Sequence, residues 1–163
     1  MSKIDINRYL VDEATFDTQL SPTEWNRAIS IMVEQILKPK GYGHNLVQNV
    51  ANATIRREQE ASTAMGKGFA LPHTKTSLVK DAYVGWFSVG AGIDFNALDH
   101  QPVYILCCIV SPSSESLDLH LTIMESVFFC ALQSDFRKNA RQASTAHEFR
   151  LAVLTALRKR DIS

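Results

Sequence analysis

The run PVYILCCIV, from Pro102 to Val110, is apolar throughout and constrains the fold more than any other stretch of this sequence. Continuous apolar runs of this length are typical of a strand that is covered on both faces. The run is far shorter than the roughly 20 residues that a membrane-spanning helix requires. We therefore expect a buried central strand, with Cys107 and Cys108 on opposite faces because successive strand side chains alternate.

Two helical patterns precede this strand. Ser21 to Glu24 resemble a capping box with Pro22 in the first turn, and apolar residues at helical spacing follow until Pro39 and Gly41. A second helix is predicted from about Asn45 to Glu58. We expect its inner stripe to consist of Leu46, Val50 and Ala53.

Further strands and helices complete the pattern. The segment AYVGWFSVG (Ala82–Gly90) is rich in β-branched and aromatic residues and predicts another strand. A long helix is expected over Leu117–Leu132, and a second capping box at Thr145–Glu148 opens a last helix. Helices, then strands, then helices predict an α+β fold: a three-layer α/β/α sandwich with a mixed central β-sheet flanked by helices.

Charge and cysteine content exclude several function classes. Seventeen basic and seventeen acidic residues cancel, which leaves no bulk electrostatic case for nucleic acid or an anionic membrane. The N-terminus lacks the pattern of a signal peptide, and we expect a cytoplasmic protein. The cysteines are odd in number, lack CxxC spacing and lie in apolar segments, so we expect three core residues and no metal site: Cys107, Cys108 and Cys130.

The segment STAMGKGFALPH leads from a loop through a short strand to His73 at the strand's exit. Gly66 and Gly68 free backbone amides to turn toward one point, and Ser62 and Thr63 add hydroxyl groups. Such a nest of donors favours an anion. An imidazole beside such a nest suits phosphoryl chemistry. The ordinary pKa of histidine is ~6.5, so its neutral form is available as a nucleophile at cytosolic pH. The alternative is a structural histidine that merely ends the strand.

The longer segment RREQEASTAMGKGFALPH resembles the active-site signature of the phosphotransferase system enzyme IIA family of the fructose, mannitol and nitrogen-regulatory type. The elements that carry the resemblance are Arg57-Glu58, Ser62-Thr63, Gly66, Gly68, Ala70, Pro72 and His73. The likeness continues through GIDFNALDHQPVYILCCIVSP and HLTIM, and covers about Tyr9 to Leu157. It implies that residues 1–163 are a single enzyme IIA domain with a core of about 9–157.

The resemblance implies that His73 is phosphorylated by an HPr-type phosphocarrier protein. The phosphoryl group then passes to a cysteine of an enzyme IIB domain, or regulates a target protein, and contact with a membrane permease complex would be peripheral. Arg57 maps to the family arginine beside the active histidine, and His120 to the second histidine that faces it. No cofactor is implied. The predicted supports of the phosphate are Glu58, Ser62, Thr63, Gly66 and Gly68.

Simpler alternatives accompany two of these assignments. The alternative for Arg57 is an exposed charge that pairs with a glutamate of its own helix. The alternative for His120 is a polar residue that merely lies near a helix start. Two positions depart from the family pattern: Thr74 stands where glycine is frequent, and Lys67 where a small polar residue is common. We expect Lys67 to add a positive charge near the site.

Three function classes remain open from the sequence. The first is a phosphoryl-transfer protein that works through phosphohistidine. The second is a regulatory module whose partner-binding surface is switched by the charge of phosphorylated His73. The third is a binding domain that keeps the fold without phosphorylation, which the retained His73 and Arg57 argue against.

Overall fold

A computed structural model describes residues 4–114 and 117–162. Its strands are β1 (Thr15–Asp17), β2 (Ala64–Gly66), β3 (Phe69–Ala70), β4 (His73–Thr76), β5 (Tyr83–Ile93) and β6 (Val103–Pro112). Its α-helices are α1 (Trp25–Leu37), α2 (His44–Glu60), α3 (Leu117–Ala131), α4 (Ser134–Gln142) and α5 (Ala146–Ile162). A π-helical turn covers Arg8–Asp12, and a 3-10 turn covers Lys38–Lys40.

Strand β6 is the centre of one mixed sheet. It pairs antiparallel with β5 on one side and parallel with β3 and β4 on the other, while β1 and β2 extend the two sides. Phe69 lies opposite Ile105 and His73 lies opposite Ile109, so β3 and β4 keep one register on β6. They therefore act as one strand, which is interrupted at Pro72 because proline has no N–H to donate.

Helices cover both faces of this sheet. Helices α1 and α2 share one buried cluster with Cys108, and α3, α4 and α5 share the other with Cys107. Both cysteines are fully buried on the central strand, and Cys130 is buried in α3. The predicted three-layer sandwich and the buried strand with its cysteines on opposite faces are confirmed. None of the described helices is long and apolar enough to cross a membrane.

The predicted start of the first helix is wrong. Helix α1 begins at Trp25, and the residue that precedes it, Glu24, makes no side-chain capping bond. Glu24 is extended and forms a backbone bridge with Asp94. This tertiary pairing holds the chain out of the helix, so Ser21 does not cap it. The end was predicted correctly, since Gly41 closes the following 3-10 turn with a φ of 92°.

The inner face of α2 differs from the predicted stripe. Val50 is buried as expected, but Leu46 and Ala53 are only half-buried. Thr54 and Glu58 lie on the buried face, and the Thr54 hydroxyl donates to the Val50 carbonyl at 2.8 Å. Polar residues on the inner face obscured the apolar periodicity. The consequence for function is that Glu58 points inward.

The C-terminal helices agree with the sequence except for α4, which was not predicted. Only Phe136 and Ala140 are buried on α4, and its other residues are mostly polar. The predicted cap of the last helix is present, because the Thr145 hydroxyl accepts the Glu148 N–H at 3.1 Å. The predicted inner residues of α5, Phe149, Val153 and Leu157, are buried.

Candidate active site

His73 is the first residue of β4, which pairs only with β6 among the described strands. The sequence predicted a histidine at a strand's exit, but the chain continues in register through Thr76. His73 lies opposite Ile109, whose side chain belongs to the cluster formed with α3, α4 and α5. Residues opposite one another in a sheet share a face. His73 therefore faces the layer that contains α3.

A main-chain carbonyl orients the His73 ring. Its Nδ1 lies 2.8 Å from the carbonyl oxygen of Leu71, which can only accept, so Nδ1 carries the hydrogen. In the neutral ring, Nε2 then holds the lone pair. Burial, and secondarily the charge of Arg57, lower the pKa of His73, while the Leu71 hydrogen bond and Glu58 oppose this shift. The ring is therefore neutral at pH 7, with a nucleophilic Nε2.

A second imidazole lies beside the first. The ring centroid of His120, in the first turn of α3, is 5.7 Å from that of His73, and the ring planes meet at 46°. The Nδ1 atom of His120 lies 2.9 Å from the Ser111 hydroxyl. Burial, followed by the charges of His73 and Lys75, lowers the pKa of His120 to about 4. The structure thus brings the two predicted histidines together.

We expect His120 to make the protein less stable in mild acid. The pKa of His120 falls from ~6.5 in the unfolded chain to about 4 in the folded protein, so the unfolded state binds the proton more readily. This contribution is fully present above pH ~6.5 and is lost as the pH falls toward 4. In urea unfolding, we expect a loss on the order of 2 kcal/mol between pH 7 and 4.5.

His120→Asn keeps a polar group near Ser111 but removes the titration. The difference in free energy of unfolding between the two pH values should shrink by about the same 2 kcal/mol in this variant. His147→Asn is the matched control, because His147 is exposed in the first turn of α5. An unchanged pH dependence in His120→Asn would contradict the buried, neutral state of this ring.

Helix α2 brings Arg57 and Glu58 toward β4, against which it packs. Arg57 is half-buried and acts electrostatically on His73, and its Nη1 lies 3.3 Å from the Ala61 carbonyl. Among the described residues, Arg57 forms no ion pair with Glu58 or Glu60, which disfavours the simpler interpretation of an arginine paired on its own helix. Its charge contributes to the lowered pKa of His73.

The predicted supports Ser62, Thr63 and Glu58 form a network of their own. The Glu58 carboxylate is 6% exposed and accepts the Thr63 N–H and the Thr63 hydroxyl, each at 2.8 Å. The Thr63 hydroxyl in turn accepts the Leu71 N–H at 3.2 Å. The Ser62 hydroxyl donates to the Phe95 carbonyl at 2.6 Å. Both hydroxyl hydrogens therefore have acceptors within the protein, and the network holds the backbone that orients His73.

The two predicted phosphate-binding glycines belong to the turn between β2 and β3. Gly66, Lys67 and Gly68 all have positive φ angles, of 86°, 58° and 78°. The N–H of Lys67 donates to the Asp99 carboxylate at 2.8 Å. Methyl groups at the glycines would approach Asp99 and Tyr104 to 3.1 and 3.2 Å. The turn does bind an anionic group, but that group is the protein's own Asp99.

This turn lies away from His73. Gly68 and His73 are five residues apart on what is in effect one extended strand, which separates them by about 16 Å. Gly66 and Gly68 therefore do not contact a phosphate on His73 in this arrangement. The expectation that Lys67 adds charge near the site is likewise corrected.

Lys75 and Ser111 were missed by sequence reasoning. Lys75 follows His73 by two residues on β4, which places both side chains on one face of the strand. This could have been predicted, because successive side chains of a strand alternate between its two faces. The charge of Lys75 contributes to the lowered pKa of His120. Ser111 is a buried polar residue at the end of an apolar strand, and no sequence pattern marked it. Thr74, between His73 and Lys75 on β4, is buried opposite Val110 on the α1 and α2 side.

The arrangement suits the transfer of a phosphoryl group. It combines an unprotonated ring nitrogen, a second imidazole, and the cations Arg57 and Lys75 at the edge of the sheet. Charge spread over phosphoryl oxygens is stabilised by such groups. In the described part of the chain, no group of three or more His, Cys, Asp or Glu residues is placed to hold a metal ion. Fold and site together define a class of domain in which two facing histidines lie at the edge of a mixed sheet between helical layers.

The family follows from comparison with known proteins. Residues 10–155 match the family model described as "Phosphoenolpyruvate-dependent sugar phosphotransferase system, EIIA 2". The chain therefore belongs to the EIIA 2 family of the phosphotransferase system, as the signature around His73 indicated.

Two curated relatives represent the two branches that the sequence resembles. The chain is 33% identical over 94 residues to the PTS system fructose-specific EIIA component of Haloferax volcanii, which covers 58% of this chain and 60% of the relative. It is 29% identical over 99 residues to a nitrogen regulatory protein of Pseudomonas aeruginosa, which covers 61% of this chain and 64% of the relative. The matched segment thus spans less than two thirds of each relative.

Solved structures share the fold. Nitrogen regulatory protein IIA-Ntr from Neisseria meningitidis superposes with a TM-score of 0.79 at 19% identity, covering 87% of this chain and 97% of the other. The mannitol enzyme IIA of Escherichia coli, solved in complex with phosphorylated enzyme IIB, superposes with a TM-score of 0.70 at 17% identity. That match covers 98% of this chain and 99% of the other.

Proposed function

We propose that the protein accepts a phosphoryl group on Nε2 of His73 from an HPr-type phosphocarrier and passes it to a cysteine of an enzyme IIB domain. The observation that carries this proposal is the bond from His73 Nδ1 to the Leu71 carbonyl, since it leaves Nε2 as the nucleophilic nitrogen. The paired ring of His120 and the membership of the EIIA 2 family support it.

His73 can accept the phosphoryl group without the help of a cofactor. Nε2 of neutral His73 attacks the phosphorus of the donor phosphohistidine, a new P–N bond forms, and the donor's P–N bond breaks to release a neutral imidazole. The phosphorylated His73 ring keeps its Nδ1 hydrogen and becomes positively charged. The Leu71 carbonyl and the Glu58 carboxylate, which both favour the charged ring, stabilise this product.

Cations and a hydrogen-bond donor complete the site. Arg57 offers a planar set of N–H groups to the equatorial oxygens of the transferring phosphoryl group. His120 donates an N–H to the same group, and Lys75 adds positive charge at the rim. In the second half-reaction, an enzyme IIB thiolate attacks the phosphorus and His73 leaves as neutral imidazole. A IIB domain within a permease would bring the protein to the membrane only peripherally.

A regulatory role is the second candidate, and the similarity to the Pseudomonas aeruginosa nitrogen regulatory protein favours it. A phosphoryl group on His73 brings about two negative charges to a half-buried surface position, and the positive charge of the phosphorylated ring offsets them only in part. Partners that read this face would then distinguish the two forms by charge. The same site serves both roles, and the roles differ in where the phosphoryl group goes.

Transfer of the phosphoryl group from the phosphorylated chain to an enzyme IIB domain distinguishes the phosphoryl-transfer role from the regulatory role. The protein is charged with phosphoenolpyruvate, enzyme I and an HPr-type phosphocarrier, repurified, and mixed with a fructose-type or mannitol-type enzyme IIB domain. We expect the phosphoryl group to leave His73 and appear on the IIB cysteine, and a IIB domain with that cysteine changed to serine to stay unlabelled. A chain that is charged but never discharged by these domains would favour the regulatory role.

A further inference from the structure

The turn that contains Gly66 and Gly68 borders a basic groove far from His73. The groove has a volume of about 470 Å³ and is lined by Lys67, Arg137, Lys138, Arg141 and Gln142. Four of these five residues are cations, and none of the described residues that line the groove is acidic. The chain as a whole has no net charge, so the positive potential is a local feature of this surface.

Among the residues that the structure describes, none forms an acidic partner of the four cations. The ion pairs of the described residues involve Arg8, Lys38 and Lys159, and none of the groove cations. Asp99 binds the backbone N–H of Lys67 and does not line the groove. Like charges gathered in this way repel one another, and a bound anion relieves that repulsion.

Two arginines of the groove are held in place by neighbouring groups. Arg137 donates from Nη1 to the Ala131 carbonyl at 2.7 Å. The guanidinium carbon of Arg141 lies 3.7 Å from the centroid of the Tyr104 ring, a close stacking contact. Guanidinium groups fixed in this way lose less entropy when they bind the oxygens of a phosphate.

We propose that this groove is a second site, which binds a small molecule carrying two phosphate groups. Its volume lies within the range of about 300–1,000 Å³ that small-molecule sites occupy. Two phosphate groups carry enough negative charge to match four cations, and the Gln142 amide can bind an ester or hydroxyl oxygen. The cations line one concavity, whereas a protein partner would usually cover a broader face of about 800 Å².

The second site is independent of phosphoryl transfer. Lys67 stands next to Gly68, about 16 Å along the strand from His73, so a ligand in the groove does not touch the two imidazoles. The proposal therefore does not rest on the proposed function. Loss of binding in the groove and loss of phosphorylation at His73 can be measured separately.

Titration of the full chain with inorganic pyrophosphate at constant ionic strength tests the proposal. We expect saturable binding of one ion, with changes in the amide resonances of Lys67, Lys138 and Arg141. The variant Lys67→Asn/Lys138→Gln should bind at least tenfold more weakly, because charge-assisted bonds are lost. Asparagine suits position 67, since it tolerates the positive φ found there. Phosphorylation of His73 should be unchanged in this variant.

Lys40→Gln/Lys80→Gln is the matched control, because it removes the same charge from exposed positions outside the groove. We expect it to bind pyrophosphate like the wild type, and equal weakening in both variants would mean that only general charge attraction was measured. Orthophosphate binding as tightly as pyrophosphate would overturn the requirement for two phosphate groups. Tighter binding of a polyglutamate peptide would overturn the small-molecule ligand in favour of an acidic protein partner.

Discussion

We expect the largest effect from His73→Ala, which should abolish phosphoryl acceptance. The wild-type protein should carry its phosphoryl group on Nε2 of His73. The Leu71 carbonyl occupies Nδ1, and the lowered pKa of His73 keeps Nε2 unprotonated at pH 7. No other histidine among the described residues combines these conditions with a facing imidazole. Removal of the nucleophile therefore removes the reaction rather than slowing it.

The measurement maps the phosphoryl group after incubation with phosphoenolpyruvate, enzyme I and an HPr-type phosphocarrier. Phosphohistidine is labile in acid, so mass spectrometry under alkaline conditions locates the residue, and NMR of the ring identifies the nitrogen. His147→Ala is the control, since it removes an exposed histidine from α5 and should be phosphorylated normally. Label on another histidine in the wild type would reassign the site, and label on Nδ1 would contradict the orienting role of Leu71.

Arg57→Ala should give the second largest effect. Loss of one charge-assisted donor to a transferring phosphoryl group costs about 2–4 kcal/mol of transition-state stabilisation, which corresponds to a rate roughly 30- to 800-fold lower. The fold should survive, because the hydrogen bond that Arg57 makes in the protein is a long one of 3.3 Å to the Ala61 carbonyl at the end of α2. Arg57→Lys should be intermediate, since lysine keeps the charge but loses the planar fork.

A second readout separates this role from a structural one. Because the charge of Arg57 lowers the pKa of His73, that pKa should rise in Arg57→Ala when the ring is titrated by NMR. Arg56→Ala is the matched control, since Arg56 is the exposed neighbour on the same helix. Transfer at the wild-type rate in Arg57→Ala, with an unshifted pKa of His73, would remove Arg57 from the site.

The sequence predicted the layers of the fold for a clear physical reason, whereas Arg57 and His120 were assigned through the resemblance to a known family. A continuous apolar run between two sets of helical patterns leaves few arrangements other than a sheet covered on both faces. The signature and the later HLTIM segment contain Arg57, His73 and His120, which the structure brings to one edge of that sheet. Spacing alone would have left the role of His120 open.

Two errors share one cause, which is that neighbours in a sequence need not be neighbours in space. The glycine turn and His73 seemed to form one nest because they are five residues apart, but an extended chain of that length separates them by about 16 Å. The capping box at Ser21 failed because a backbone bridge between Glu24 and Asp94, distant in sequence, overrides the local preference. The separation follows from the short strand that the sequence itself predicted between the turn and His73, whereas the bridge to Asp94 cannot be inferred from local pattern.

The group that orients His73, the proposed phosphoryl acceptor, is a peptide carbonyl, and this has a consequence for how such proteins diverge. Any amino acid at position 71 offers the same oxygen to His73 Nδ1, provided that the strand keeps its register on β6. The side chain at this position can therefore vary, as long as it fits the apolar layer in which Leu71 is buried. Selection for reactivity then acts on the pairing of the strands, so substitutions that shift the register should impair the chemistry even where every reacting side chain is retained.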